Sequence, residues 1–308
     1  MSDFVMLSLM PMVVGTAAAL ACALVGNFLV LRRQSLIGDA VSHVVLPGIV
    51  AAFLLTGVVA PIPMLAGATV AAIVAAGLIA LVRRAGGVEP GAAMGVVFTS
   101  LFAAGVLLLE TSGARSVHLD VEHALLGNLE SLIWFEGLGW SALLDPSALA
   151  AVPPQVWRLI VVLAIVSAFV VLFWKELVLG SFDPVFAATV GARPALFDAA
   201  LMLLTAVVAV FAFEAVGSIL VVAMFVCPPA AARLMTDRLV PQVMWSLAFA
   251  VLSAVGGYVL AGYGPLWLGY QSSVSAAGMI AVVSGLILAA ACVAGPRRKG
   301  TRSIGAPA

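Results

Sequence analysis

Asp39 and His43 are the two residues whose types and spacing best fit metal chemistry in this chain. They are four positions apart, so a helix places both on one face, about 6 Å apart along its axis. A carboxylate and an imidazole one turn apart can reach the same ion, and this pair suits zinc, manganese or ferrous iron. Ionisable groups in a membrane segment are costly and therefore functional candidates. The alternative is a buried Asp–His hydrogen bond that fixes one helix against another.

Residues that disturb helices lie close to this pair. Pro47 removes a backbone hydrogen bond and Gly48 permits close approach, so the sequence predicts that the helix kinks or opens there. A carbonyl freed by Pro47 would face the ion, unless the kink serves packing alone. Pro228 and Pro229 predict a second kink before a run of small residues.

Glu214 is the second acid within an apolar segment. It either joins the metal path from the outer side or reaches the membrane interface. The sequence does not decide between these two roles.

A short capped helix is predicted between two long apolar stretches. Asp183 is a suitable N-cap, Pro184 fits the first helical position, and Gly191 fits the C-terminal stop. Such a helix exposes Val185 and Phe186, which indicates docking to a soluble partner. The alternative is a helix that lies flat on the lipid headgroups.

The composition excludes a soluble fold, because 64% of the 308 residues are apolar and only 9% are charged. The mean hydropathy is +1.23. The formal net charge is zero, which gives no support for nucleic acid or another polyanion as a partner. Lys175 and Lys299 are the only lysines, and neither follows a G-x-x-x-x-G loop, so the sequence has no P-loop for ATP.

Nine apolar stretches are long enough to cross a bilayer as helices. They cover approximately residues 5–31, 36–56, 61–82, 91–110, 156–179, 195–214, 216–235, 240–261 and 273–294. The sequence therefore predicts an all-α polytopic membrane protein, with residues 1–296 as one transmembrane domain in the lipid bilayer. Charges and prolines in the second, sixth and seventh stretches leave a count of eight open.

Basic clusters orient the spans, because cytoplasmic loops retain positive charge. Nine spans with the N-terminus outside and the C-terminus in the cytoplasm put every cluster on the cytoplasmic side, whereas eight would split them. The clusters are Arg32-Arg33, Arg83-Arg84, Arg193, Arg233, Arg238 and the basic tail 297–308. The loop 111–155 is then external. Its part 119–134 predicts an amphipathic interfacial helix, and its part 140–154 predicts a proline-rich loop.

Three stretches resemble the membrane permeases of ATP-binding-cassette (ABC) importers for zinc, manganese or iron. The first runs from Arg33 to Gly48 and contains the Asp and His, the second is Leu125-Leu126-Gly127-Asn128, and the third runs from Ser181 to Gly191. Residues 214–233 are also similar to the family. The resemblance extends over about residues 29–258. It implies the ABC-importer permease fold and places Asp39 and His43 on the metal path.

The resemblance also implies partners. Residues 182–191 would be the cytoplasmic coupling helix that docks to the ATPase, with coupling residues Phe182, Asp183, Pro184, Val185, Phe186 and Gly191. A second copy of the chain, two cytoplasmic ATPase subunits and an external metal-binding delivery protein would complete the complex in the plasma (inner) membrane of a bacterium. The predicted function is the permease of an ATP-driven importer of zinc, manganese or ferrous iron. The metal is cargo, and no permanently bound cofactor is expected.

Two other functions use the same residues. An ion-coupled secondary metal carrier would bind a proton or a metal at Asp39 and His43 without ATP. A membrane enzyme would hold a catalytic metal there, but no third strong ligand or nucleophile is near in the sequence.

Overall fold

The computed structural model describes residues 4–58, 60–111, 129–137, 139–267, 269 and 274–295. Within these ranges the chain forms helices and connecting segments and contains no β-strand. The α-helices are α1 (Met10–Leu31), α2 (Ile37–Thr56), α3 (Pro61–Gly86), α4 (Pro90–Thr111), α5 (Pro146–Ala150), α6 (Pro154–Leu172), α7 (Trp174–Phe182), α8 (Pro184–Thr189), α9 (Pro194–Val216), α10 (Ser218–Met235), α11 (Leu239–Trp267) and α12 (Ala276–Ala294). A π-helical turn, Val5–Leu9, precedes α1, and 3-10 helices occupy Leu129–Ser131 and Trp140–Leu144.

Nine helices in the described part of the chain are long and apolar enough to cross a membrane. This confirms the predicted all-α polytopic fold. The fifth span is shorter than its predicted range 156–179, because α6 ends at Leu172 and α7 begins at Trp174. The break comes just before Lys175 and Glu176, whose charges do not belong in an apolar layer.

The helix α1 is the centre of the fold, and 78% of its most apolar stretch is buried inside the protein. It packs against α10 and α11 and also against α6 and α9. Small residues on this helix allow neighbours to approach closely. The helices α2, α3 and α4 pack on one another and join the rest mainly through α9. The candidate metal ligands therefore lie on a three-helix unit beside the buried core.

The paired prolines of α10 lie at a close contact with α1. Pro229 has no N–H, so the carbonyl of Phe225 lacks its usual helical donor. Gly26 of α1 lies so near this carbonyl that a Cβ would overlap both the oxygen and the ring of Pro229. The helix nevertheless continues through Pro228 and Pro229. The prolines thus lie in an unbroken helix at a tight contact with α1.

Charged contacts show which helix ends lie together. Arg32 after α1 and Arg83 in the last turn of α3 both contact Asp198 in α9, with nitrogen–oxygen distances of 2.9 and 3.7 Å. Near the opposite end of α9, Glu214 contacts Arg158 of α6. The helices α1 and α3 therefore end on the side where α9 begins, and α6 and α9 run in opposite directions, as the nine-span arrangement requires.

The external segment differs from the prediction. Residues 112–128, including most of the predicted amphipathic helix 119–134, lie outside the described residues. The rest of that range is a 3-10 turn followed by a non-helical stretch, with Leu129, Leu132 and Trp134 buried. Trp134 is held inside because its Nε1 donates to the carbonyl of Ala148 at 2.9 Å. This portion folds against the protein instead of lying along the interface.

The range 140–154, predicted as a loop, contains a 3-10 helix and α5. Asp145 caps α5 by accepting a hydrogen bond from the N–H of Ser147 at 2.9 Å, and Pro146 occupies the first turn. The prediction of a loop is wrong here because a proline that follows an N-cap residue fits the first turn of a helix as well as it fits a loop.

Candidate metal site

Asp39 lies in the first turn of α2, and His43 follows one turn later on the same face. The distance from Asp39 Oδ1 to His43 Nε2 is 3.7 Å. The side chains are 43% and 42% exposed, respectively. The structure therefore brings the two predicted ligands together at an accessible surface of the chain.

The distance between the two ligand atoms is informative. It is longer than a hydrogen bond between nitrogen and oxygen. Two atoms about 2.1 Å from one ion at a tetrahedral angle lie about 3.4 Å apart. The observed spacing of 3.7 Å is close to that value and is compatible with one ion between the two side chains. It does not fit the alternative of a direct Asp–His hydrogen bond between the two side chains.

The helix itself favours a negative group at this position. Asp39 is the acidic residue of the first turn of α2. The N–H groups at a helix N-terminus carry a partial positive charge, which stabilises a nearby carboxylate. The position of Asp39 at this helix end is therefore compatible with a negative side chain that could contact a cation.

Two aromatic rings of α4 surround the imidazole. Phe98 stacks on the His43 ring, with centroids 5.1 Å apart and an angle of 20° between the planes. Phe102 meets it edge-on, at 5.7 Å and 77°. The imidazole is thus in contact with aromatic surfaces in two directions.

Pro47 and Gly48 hold α2 against its neighbours. The helix continues through both residues, so the chain does not open into a loop. Because Pro47 has no N–H, the carbonyl of His43 lacks its usual helical donor. A Cβ at Gly48 would lie 2.6 Å from the carbonyl oxygen of Gly67 on α3, and a Cβ at Gly105 on α4 would lie 2.6 Å from Pro47 Cβ. Glycines therefore permit α3 and α4 to pack closely on the helix that carries the ligands.

The described part of the chain contains a pair of candidate ligands rather than a larger cluster. Among the described residues, no group of three or more His, Cys, Asp and Glu side chains could hold a metal ion. Asp39 and His43 thus form a two-ligand arrangement.

Glu214 is not part of this arrangement. It lies near the end of α9, whereas Asp39 lies at the start of α2. Its carboxylate accepts a hydrogen bond from the guanidinium of Arg158 on α6. The two side chains are 23% and 27% exposed. The structure therefore places Glu214 in an interhelical ion pair near the outer ends of α6 and α9.

The predicted capped helix is present as α8. Asp183 Oδ1 accepts a hydrogen bond from the N–H of Phe186 at 2.8 Å, and Pro184 occupies the first turn. Gly191 follows with a φ of 82°, a value that favours glycine. The apolar side chains that α8 and its flanks expose are Phe182, Val185, Phe186 and Val190. This surface suits contact with another protein.

A buried arginine links this region to the spans. Arg32 Nε donates to Ser181 Oγ at 3.0 Å, and Arg32 Nη1 donates to Asp198 Oδ1 at 2.9 Å. Burial lowers the pKa of the Arg32 guanidinium, and the Asp198 carboxylate opposes this shift. Ser181 lies near the end of α7, just before α8. Movement of α8 would therefore reach α1 and α9 through polar contacts.

Comparison with known proteins decides the family. The model of the family described as "ABC 3 transport family" (ABC-3) matches residues 5–133 and 142–295. The chain belongs to the ABC 3 transport family. It is 39% identical to the manganese transport system membrane protein MntD of Bacillus subtilis over 282 residues, covering 92% of this chain and 90% of the relative. It is 33% identical to the zinc transport system membrane protein TroD of Treponema pallidum over 284 residues, covering 92% and 73%.

A solved structure is also similar over most of the chain. PsaBC from Streptococcus pneumoniae, in complex with Fab, superposes with a TM-score of 0.70 at 26% identity, covering 94% of this chain and 92% of that chain. As a member of the ABC 3 family with nine candidate spans in its described part, the chain is a multi-pass ABC transporter permease of a bacterial inner membrane.

Three residues that contact Glu214 or His43 were not predicted from the sequence. Arg158 lies in the second turn of an apolar helix, and an intramembrane cation signals a partner for Glu214. Phe98 and Phe102 gave no such signal, because aromatic residues in a span also face lipid. The motif Leu125-Leu126-Gly127-Asn128 lies outside the described residues.

Proposed function

We propose that this chain is the permease of an ATP-driven importer of manganese or zinc, and that the ion passes Asp39 and His43. The observation that carries the proposal is their spacing of 3.7 Å on an accessible face of α2, in a member of the ABC 3 transport family. A carboxylate and an imidazole suit both metals. The relatives named above are manganese and zinc transport proteins. Ferrous iron fits the same donor chemistry.

The two-ligand site supports a homodimer. Two chains related by a two-fold axis through this face would supply two carboxylates and two imidazoles, which is a complete tetrahedral set. Each chain would present Asp39 and His43 from α2, and the ion would lie on the axis. Weak retention by single chains would keep the ion exchangeable, as transport requires.

Separate subunits would supply the energy. The sequence has no P-loop, so ATP would be hydrolysed by two cytoplasmic ATPase subunits. The exposed apolar surface of α8 would dock into them, with Phe182, Val185 and Phe186 in the contact. Closure of the ATPases would move α8, and the Arg32 contacts to Ser181 and Asp198 would carry the movement to α1 and α9. An external metal-binding protein would deliver the ion.

The test is metal uptake by cells that rely on this transporter. Asp39→Asn and His43→Ala should each abolish uptake of Mn²⁺ and Zn²⁺ while the complex still assembles. Asp145→Asn, which changes an exposed acid outside the candidate site, should retain uptake and serves as the control. Wild-type uptake by either variant in α2 would overturn the assignment of the ligands.

The secondary carrier is distinguished by its energy source. An ATP-driven importer should co-purify with an ATPase, and vanadate should stop its uptake. Uptake that continues with vanadate and follows a proton gradient would favour the carrier instead.

A further inference from the structure

The helix α4 presents a stripe of three residues toward the ligand helix. Phe98, Phe102 and Gly105 are spaced by four and three positions, so they lie on one face of α4. The two rings contact His43, and Gly105 lies against Pro47 one turn further along α2. The close contact at Gly105 therefore brings the rings next to the imidazole.

The two ring contacts restrict different motions of His43. An imidazole rotates about a broad terminal torsion unless its neighbours confine it. Phe98 is nearly parallel to the ring, at 20°, and opposes tilting of its plane. Phe102 stands at 77° and opposes rotation within the remaining space. Together they favour the orientation in which Nε2 is 3.7 Å from Asp39 Oδ1.

Phe102 lies at the surface of the chain rather than in its core. Its side chain is 40% exposed, so it leaves much apolar area uncovered beside an imidazole that is 42% exposed. The close approach of α2 and α4 is already provided by Gly105 and Pro47. What the rings add is a defined orientation for the one nitrogen donor of the site.

We infer that Phe98 and Phe102 are positioning residues, which hold the His43 imidazole in the orientation that binds the transported ion. This inference rests on the proposed role of Asp39 and His43. It assigns to α4 a part in setting metal affinity and the preference between metals. Zn²⁺ depends more on an imidazole donor than Mn²⁺ does, since Mn²⁺ suits oxygen ligands. Greater rotational freedom of the His43 imidazole should therefore weaken Zn²⁺ binding more than Mn²⁺ binding.

The test compares Phe98→Ala, Phe98→Leu and Phe98→Tyr in the full transporter, with KM and Vmax measured for Mn²⁺ and Zn²⁺ uptake. Loss of an aromatic contact should raise KM for Zn²⁺ by about two- to tenfold. KM for Mn²⁺ should rise less, and Vmax should be retained. Phe98→Leu should behave like the alanine variant, because it keeps apolar bulk without a stacking surface. Phe98→Tyr keeps that surface and should restore KM.

A matched pair on the same helix controls for general packing. Phe102 and Leu108 are each 40% exposed on α4. Phe102→Ala should raise KM for Zn²⁺, whereas Leu108→Ala should not. If Phe98→Ala fails to reach the membrane, Phe98→Leu and the comparison of Phe102→Ala with Leu108→Ala test the positioning role.

Three outcomes would overturn the positioning role. They are an unchanged KM in Phe98→Ala, wild-type behaviour of Phe98→Leu, and a fall in Vmax that is equal for both metals at constant KM. Each of these would leave the proposed function standing provided that His43→Ala abolishes uptake. Wild-type uptake by His43→Ala would instead remove the proposed function itself.

Discussion

Among the described residues, two pairs of ionisable side chains within the spans, Asp39 with His43 and Glu214 with Arg158, differ in geometry. Asp39 and His43 share the helix α2, stand 3.7 Å apart and are more than 40% exposed. Glu214 and Arg158 join two helices, α9 and α6, and are directly hydrogen-bonded. Their side chains are 23% and 27% exposed. We call the first pair the open pair, because its two facing atoms are too far apart for a hydrogen bond. We call the second the closed pair, because its two side chains are directly bonded.

This difference is the basis for the proposal that the first pair binds an ion and the second holds two helices together. In the closed pair, Arg158 is the counter-ion of the Glu214 carboxylate, and a metal would have to displace it. In the open pair, a carboxylate and an imidazole face the same space at a distance that one ion can bridge. Both acids lie in apolar segments and looked alike in the sequence. In the structure, Glu214 has a direct bond to an arginine, whereas Asp39 and His43 are 3.7 Å apart on one helix.

The largest effect on metal uptake is expected when the open pair loses one of its side chains and the closed pair stays intact. His43→Ala should lower Mn²⁺ and Zn²⁺ uptake by about 100-fold or more, since even changes beyond the ligands cost metal sites about 10- to 100-fold. Glu214→Gln keeps the shape of its side chain and should retain most uptake. Uptake assays on membranes with equal amounts of protein make the comparison. Equal losses in both variants would break the distinction between the pairs.

The closed pair should matter more for stability. Arg158→Ala leaves the Glu214 carboxylate without its partner and should lower the free energy of unfolding by about 2–3 kcal/mol. The double variant Arg158→Ala with Glu214→Ala should recover part of this loss, because no unpaired charge is left. Thermal unfolding in detergent measures both. A double variant as unstable as the sum of the single changes would argue against direct coupling.

The open pair should depend on the packing of α4. A Cβ at Gly105 would lie 2.6 Å from Pro47 Cβ, so Gly105→Ala must push α4 away from α2. The cost should be about 1–3 kcal/mol of unfolding free energy, together with a raised KM for the metal. Gly95 is on the same helix with open space around it, and Gly95→Ala should show neither effect. Similar results for both glycines would exclude close packing as the cause.

The smallest effect should follow from changes remote from both pairs. Asp183→Ala removes the cap of α8 and should cost about 1 kcal/mol of local helix stability. Metal-stimulated ATP hydrolysis should fall, because α8 would dock less well. Asp145 caps α5 in the same way, with a proline after it, and Asp145→Ala should leave ATP hydrolysis unchanged. A loss in Asp145→Ala as well would indicate that caps act through general stability.

Much of the architecture was predictable because lipid restricts the choice. Long apolar stretches must be helices in a bilayer, and the arginine clusters fix their direction. The cap at Asp183 and the stop at Gly191 are local signals, and α8 forms where they predict it. Asp39 and His43 were predictable as neighbours because one helix face depends only on sequence spacing.

Contacts between helices were not predictable in this way. The partner of Glu214 is 56 residues away, and nothing in the spacing of Arg158 relates the two positions. The same holds for Phe98 and Phe102, whose contact with His43 depends on how α4 crosses α2. The loop prediction for residues 140–154 is wrong for a different reason, because a proline that follows an N-cap residue begins a helix, and Asp145 and Pro146 do so here.

The central claim is that one chain contributes Asp39 and His43 as half of a metal site. The most direct measurement is the number of Mn²⁺ or Zn²⁺ ions that bind the purified transporter without nucleotide. We expect one ion for every two copies of this chain, and loss of that ion in both Asp39→Asn and His43→Ala. One ion per chain, or a bound ion that survives either substitution, would contradict the account.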